Sequence, residues 1–138
     1  MSKSLEDALR ANSINLSQDQ VRLIEAYCHE LWSWNQKLNL TRHLDYDTFV
    51  SRDVVDTVHL ADCLKSGERV LDFGSGGGVP GMLLVILRPD LRVTLCDSVA
   101  KKTRALEDMS GTLGIKTKVI TARVQDLLGR AKYDTLVA

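Results

Sequence analysis

Arg69-Val70-Leu71-Asp72-Phe73-Gly74-Ser75-Gly76-Gly77-Gly78-Val79-Pro80-Gly81 decides the fold. Residues 70–73 are a short apolar strand, and the next five positions hold four glycines. Glycine at 74, 76 and 78 lets the backbone turn where the strand ends and approach a ligand where a Cβ would clash. Pro80 falls where a following helix would place its first residue, and residues 82–87 form that helix's apolar body. A strand, a glycine loop and a helix in this order open a parallel α/β sheet with right-handed crossovers.

Downstream, the alternation continues. Pro89-Asp90 ends the helix, and residues 93–96 form a second strand finishing at Asp97. Residues 99–113 read as a helix closed by Gly114, residues 117–121 as a third strand, and residues 133–138 as a fourth. Upstream of Gly67 the pattern is helical. Ser4 caps a short helix with Leu5, Ala8 and Leu9 inward. Ser17 and Gln20 form a capping box, with Leu16 able to staple onto Val21. Behind that cap Val21, Ile24, Cys28, Leu31, Trp34 (or Trp32) and Leu38 make one apolar stripe. A third helix fits residues 47–64, with Phe49, Val50, Val54, Val58, Ala61 and Leu64 inward. The expected organisation is a helical cap over residues 1–66 and a ligand-binding α/β part over residues 67–138.

A chain of 138 residues with 44% hydrophobic side chains holds one domain's worth of core, which excludes a disordered tail. The longest apolar run has six residues, too short to span a bilayer. Met1-Ser2-Lys3-Ser4-Leu5-Glu6-Asp7 carries early acids and no apolar stretch, which argues against a secretory signal. Cys28, Cys63 and Cys96 are too widely spaced for a disulfide framework or a zinc site, and suit a reduced, cytoplasmic protein. His29, His43 and His59 share no short spacing, so no metal site is expected. The net charge of zero conceals an asymmetry. Residues 1–69 balance to −3 and residues 101–138 to +4, with Lys101, Lys102 and Arg104 clustered and Lys116, Lys118, Arg123, Arg130 and Lys132 following. Such a flank suits nucleic acid or a solvated face.

Two ligand chemistries compete for the glycine loop. Gly76-Gly77-Gly78-Val79-Pro80-Gly81 formally matches the dinucleotide fingerprint G-x-G-x-x-G. That fingerprint should begin directly after the strand, a place Gly74 already takes. The acidic form, Asp72-x-Gly74-x-Gly76-x-Gly78, disfavours a pyrophosphate and suits a cationic ligand. S-adenosylmethionine carries a sulfonium, an ammonium and an adenosine but no phosphate. Asp72 toward its amino-acid end and Asp97 on its ribose fit it electrostatically. The alternative to this enzyme reading is a nucleotide- or dinucleotide-binding module, or a cofactor-binding fragment without turnover.

Asn35, Asn39-Leu40-Thr41, the loop ending Gly78-Val79-Pro80-Gly81, Arg88-Pro89-Asp90, Leu95-Cys96-Asp97-Ser98 and Lys101-Lys102 carry a resemblance over nearly the whole chain. It is to the RsmG family (glucose-inhibited division protein B), the small-subunit ribosomal RNA guanine-N7 methyltransferases. The resemblance implies a Rossmann-like class I methyltransferase fold with strands in the order 3-2-1-4. It implies S-adenosylmethionine as cofactor, with Gly74 and Val79 lining its pocket, Asp97 on its ribose and Val124 and Gln125 flanking its adenine; the loop reading adds Asp72, Gly76 and Gly78, and Ser98 follows Asp97 as a further expected contact. It also implies small-subunit ribosomal RNA as partner, met by Asn35, Asn39, Arg52, Lys101, Lys102 and Arg123. From the residues alone, Asn35, Asn39 and Thr41 serve equally as helix-end caps, and Arg52 and Arg123 equally as salt-bridge partners. Trp32 and Trp34 could stack on bases, although Trp34 at helical spacing suits the core. The chain departs from the family at Arg52-Asp53-Val54-Val55-Asp56-Thr57, where Arg-His-x-x-Asp-Ser is usual, and at Val124-Gln125, where an acid usually follows the apolar residue. Guanine N7 carries an unprotonated lone pair, so no acid–base catalytic residue is expected. The family's sheet continues beyond a fourth strand, so the expectation is a C-terminally truncated enzyme, poor in turnover and prone to pair through its strand 4 edge.

Overall fold

A computed structural model describes residues 4–128 and 132–138. Met1, Ser2, Lys3 and Arg130, used in the sequence reading, lie outside them. The helical part begins with α1 (Leu5–Ala11), where the Ser4 hydroxyl accepts from the Asp7 amide, and α2 (Gln18–Asn35). Both halves of the capping box form at Ser17 and Gln20. The buried stripe of α2 is Ile24, Tyr27, Cys28 and Leu31. The helix stops at Asn35, and Leu38 reaches the core from the following loop.

The third expected helix is one run with a π turn inside it: α3 (Tyr46–Thr48), the π segment Phe49–Val54, and α4 (Val55–Cys63). A π turn adds a residue to one helical turn and so rotates everything after it. Phe49, Val50 and Val54 are buried as the spacing predicts, but beyond the turn Thr57 takes the inward place expected of Val58. The Thr57 hydroxyl satisfies itself on the Asp53 carbonyl at 2.7 Å.

The sheet is parallel, ordered β3-β2-β1-β4, from β1 (Arg69–Phe73), β2 (Arg92–Asp97), β3 (Lys118–Thr121) and β4 (Thr135–Val137). Phe73 lies opposite Cys96, and Asp97 opposite Thr121, so three strands end on one edge. The crossovers are α5 (Gly81–Leu87), α6 (Ala100–Leu113, closed by Gly114 at φ 67°) and α7 (Val124–Leu128). Pro80 precedes the first residue of α5 instead of occupying it, and the Gly81 amide that opens the helix donates to Asp72. One apolar cluster joins both parts of the chain, with Tyr27 and Leu31 in the same core as Met82, Leu83, Leu95 and Leu106. Arg88 fastens the seam: its guanidinium donates to the Ala61 and Leu64 carbonyls at the end of α4 (2.7 and 3.1 Å) and grips Asp90 in a fork. Asp90 in turn accepts from the Gly67 amide. The Arg-Pro-Asp motif is therefore architectural. No helix among the described residues is long and apolar enough to cross a membrane.

Candidate functional site

The loop between β1 and α5 has two faces with opposite demands. At Gly74 (φ +70°) an added Cβ would meet nothing within 4 Å, and at Gly76 (φ +52°) only the Gly74 carbonyl at 3.9 Å. That face is open. On the other face, a Cβ at Gly77 would lie 2.8 Å from Leu31 and 3.0 Å from the Leu40 carbonyl. At Gly78 (φ +97°) it would crowd Met82, Leu106 and the Tyr27 hydroxyl. The glycines thus serve ligand access on one side and tight packing on the other.

Side chains beneath the loop hold its shape. Ser75 bridges two strand ends, its hydroxyl donating to the Asp72 carbonyl (2.9 Å) and accepting from the Cys96 amide (3.2 Å). Tyr27, fully buried on α2, donates to the Gly77 carbonyl at 2.5 Å. Burial keeps that phenol protonated, with its ionisation pushed well above the ordinary tyrosine range. Tyr27→Phe leaves the Gly77 carbonyl buried without a partner and should cost about 1–3 kcal/mol of stability. Urea unfolding checks this through a lower midpoint at unchanged slope.

The two acids divide the work. Asp97 accepts from the Gly76 amide (3.1 Å) with one carboxylate oxygen and from the Val99 amide (2.9 Å) with the other. It ties the tip of β2 to the open side of the loop. Asp72 has no exposed surface. Its Oδ2 accepts from the Gly81 amide at 2.9 Å, while Oδ1 has no hydrogen-bond partner among the described residues. Burial is the main reason its ionisation is pushed up to about 6; the Gly81 amide opposes that rise, and the charge on Asp97 adds to it.

A cavity of about 370 Å³ opens above the loop, lined by Gly74, Ser75, Gly76, Gly77 and Val79 on one side. Leu40, Thr41, Arg42, His43 and Asp53 form the opposite wall. Asn35 builds that wall. Its side-chain carbonyl accepts from the Leu40 and Thr41 amides (2.7 and 2.9 Å) and folds the chain after α2 back onto Gly77. Trp32 donates to the His43 carbonyl at 2.9 Å, and Trp34 to Asp108 at 3.2 Å, so both indoles are half-buried structural groups.

Of the expected cofactor residues, Gly74, Gly76 and Val79 line the cavity. Asp97 borders it through Gly76, and exposed Ser98 follows on the same edge. Gly78 and Asp72 lie behind the loop, buried. Val124 (half-buried) and Gln125 (exposed) open α7 just past β3, whose end is held to β2 by the Ala122 amide on the Asp97 carbonyl (3.1 Å). Of the expected RNA residues, Asn35 is a structural cap, while Asn39 and Arg52 are exposed near the far wall. Lys101 and Lys102 lie in the first turn of α6 and Arg123 directly precedes α7, and none of the three is among the residues lining the cavity. Among the described residues none of these four cations forms an ion pair. Tyr27, Arg42 and the pairing of His43 with Asp53 were not anticipated. Tyr27 was within reach, since it completes the spacing 24, 27, 28, 31 on α2.

A parallel 3-2-1-4 sheet with a glycine loop after its first strand and an acid at the end of its second defines a Rossmann-like protein of the methyltransferase type. Solved methyltransferases share this fold. A putative protein-L-isoaspartate O-methyltransferase from Plasmodium falciparum, in complex with S-adenosyl-L-homocysteine, superposes with a TM-score of 0.58 at 17% identity, over 96% of this chain and 70% of that one. Coclaurine N-methyltransferase superposes with a TM-score of 0.54 at 15% identity, over 96% and 47%. The family model for rRNA small subunit methyltransferase G (GidB) matches residues 20–138, and the chain belongs to that family. Ribosomal RNA small subunit methyltransferase G of Rhodopirellula baltica is 40% identical over 95% of this chain and 57% of its own length. Its counterpart from Chromobacterium violaceum is 38% identical over 97% and 65%. The chain therefore spans about three-fifths of the curated relatives it matches.

Proposed function

We propose that this chain carries the cofactor site of an S-adenosylmethionine-dependent methyltransferase that methylates N7 of a guanine in small-subunit ribosomal RNA. One observation carries the reading: in a member of this family, the open face of the glycine loop meets Asp97 at the edge of a cavity. The residues fit the cofactor. Gly74 and Gly76 leave room for its backbone-hugging amino-acid end, and Asp97 retains lone pairs for ribose hydroxyls beyond its two amide bonds. Val124 and Gln125, one strand further on, suit the adenine. When bound, the cofactor supplies an electrophilic methyl group on a sulfonium. The protein's task is to hold a guanine N7 in line with it and exclude water, with no proton to remove. Exposed Arg42 and Arg52 beside the far wall, and the cations of α6, suit an RNA backbone.

A dinucleotide fits poorly. A buried carboxylate behind the loop repels a pyrophosphate. Calorimetry separates the readings: S-adenosylhomocysteine should bind and NADH should not. Asp97→Ala should weaken S-adenosylhomocysteine binding by about 1–3 kcal/mol, the loss of a charged acceptor. Equal affinity in variant and wild type would remove Asp97 from the site.

A further inference from the structure

His43 and Asp53 face the glycine loop across the cavity, and no backbone need explains why they are joined. The imidazole Nδ1 lies 2.8 Å from the Asp53 carboxylate. The rest of His43 is pinned too: its amide donates to the Thr41 hydroxyl (3.0 Å), and its carbonyl accepts from Trp32 (2.9 Å). Asp53 projects from the π turn, a distortion that frequently marks functional sites.

A carboxylate only accepts hydrogen bonds, so the Nδ1 proton is held toward Asp53. In the neutral imidazole that fixes the tautomer and presents Nε2 as an acceptor, on a side chain about one-third exposed in the cavity wall. Among the described residues Nε2 has no hydrogen-bond partner. We propose that His43, oriented by Asp53, is the guanine-recognising residue, its Nε2 accepting from the base's N1–H and N2–H edge while N7 faces the cofactor loop. This rests on the methyltransferase reading above. Guanine presents donors on that edge, whereas adenine presents an acceptor at N1, so a fixed acceptor selects between the purines.

The pair also acts on the reaction. The N7 lone pair forms the new N–CH₃ bond, the electrons of the breaking S–CH₃ bond stay on sulfur, and no proton moves. Positive charge passes from sulfur to the purine, whose N1–H and N2–H become stronger donors. An acceptor backed by a carboxylate therefore binds the transition state more tightly than the ground state. His43 touches substrate in this arrangement, and Asp53 is a positioning residue.

The test uses the full product of the gene that encodes this chain, small ribosomal subunits lacking the modification, and calorimetry with S-adenosylhomocysteine. His43→Phe keeps the ring shape and removes the acceptor. It should lower kcat/KM for subunits by about 30- to 100-fold while changing S-adenosylhomocysteine affinity less than about twofold. His43→Gln, which restores an acceptor, should recover to within about fivefold of wild type. Unchanged kcat/KM in His43→Phe overturns the inference and leaves the methyltransferase reading standing. Equal losses of cofactor affinity and turnover in both variants also overturn it, because the pair would then only hold the loop. A wild-type protein that neither binds S-adenosylhomocysteine nor methylates guanine overturns the reading beneath it, and the inference with it.

Discussion

Gly81→Ala should destabilise the protein by about 3–5 kcal/mol, enough to unfold much of a marginal domain. The added Cβ would overlap Leu95 and the Asp72 carboxylate and approach the Asp72 Cβ to 3.0 Å. None of these can yield cheaply. Leu95 is fully buried in β2, and Asp72 is fixed by the strand on one side and the Gly81 amide on the other. Moving α5 away would break that amide bond and leave both carboxylate oxygens buried without partners, compounding the overpacking cost. Gly111 provides the contrast within the same chain. It sits exposed in α6, and a Cβ there meets nothing within 4 Å. Gly111→Ala should stabilise by up to about 1 kcal/mol through helix propensity alone. Urea unfolding of the two variants should give shifts of opposite sign. A Gly81→Ala protein as stable as wild type would mean that α5 is not seated on β1 as the hydrogen bond indicates.

The same segment explains why the fold was easy to read and the site harder. Helices and strands follow from local patterns: the capping box at Ser17 and Gln20, the apolar strand at 70–73 and the left-handed Gly114 each have near neighbours as their cause. The π turn is different. Nothing in Phe49–Val54 forbids a regular helix, on which Phe49, Val50 and Val54 would face the core as well, and nothing local marks the inserted residue. Its consequence, Thr57 inward in place of Val58, was correspondingly invisible. In the site, the ligand-facing glycines and Asp97 were legible because strand ends in a parallel sheet share an edge. The far wall was not, because it depends on Asn35 folding residues 36–43 back over the loop. That brings His43 within reach of an acid ten positions away on another helix. Asp72 was legible as an acid in the motif but not as a buried one, since its enclosure comes from α5 closing over it.

That enclosure gives Asp72 a measurable signature. Its carboxyl titrates near pH 6 in the folded protein, against an ordinary value near 3.8 in the unfolded chain. Between those values the folded state holds the proton more tightly, so the contribution of Asp72 to folding stability is greatest below about pH 4 and falls as pH rises to about 6. By linkage the full decline is about 3 kcal/mol, complete above pH 6 to 7. Asp72→Asn should abolish this contribution. Its side-chain carbonyl can keep the Gly81 amide bond, while its NH₂ takes the place of the unpartnered Oδ1 and carries its own burial cost. The absolute stability of the variant is therefore a poor readout, and the pH slope is the sound one. Urea unfolding from pH 4 to 8 should show wild type losing stability relative to Asp72→Asn by up to about 3 kcal/mol, with the difference levelling off above pH 7. Parallel curves would mean that Asp72 is solvated, and that Oδ1 is satisfied by water instead of enclosed. If the slope is present, the variant should also bind S-adenosylhomocysteine more weakly, because a negative charge beneath the loop attracts the ammonium above it. An acid kept at a cost to folding, directly behind an open glycine cradle, is the pattern expected where stability has been given up for a site.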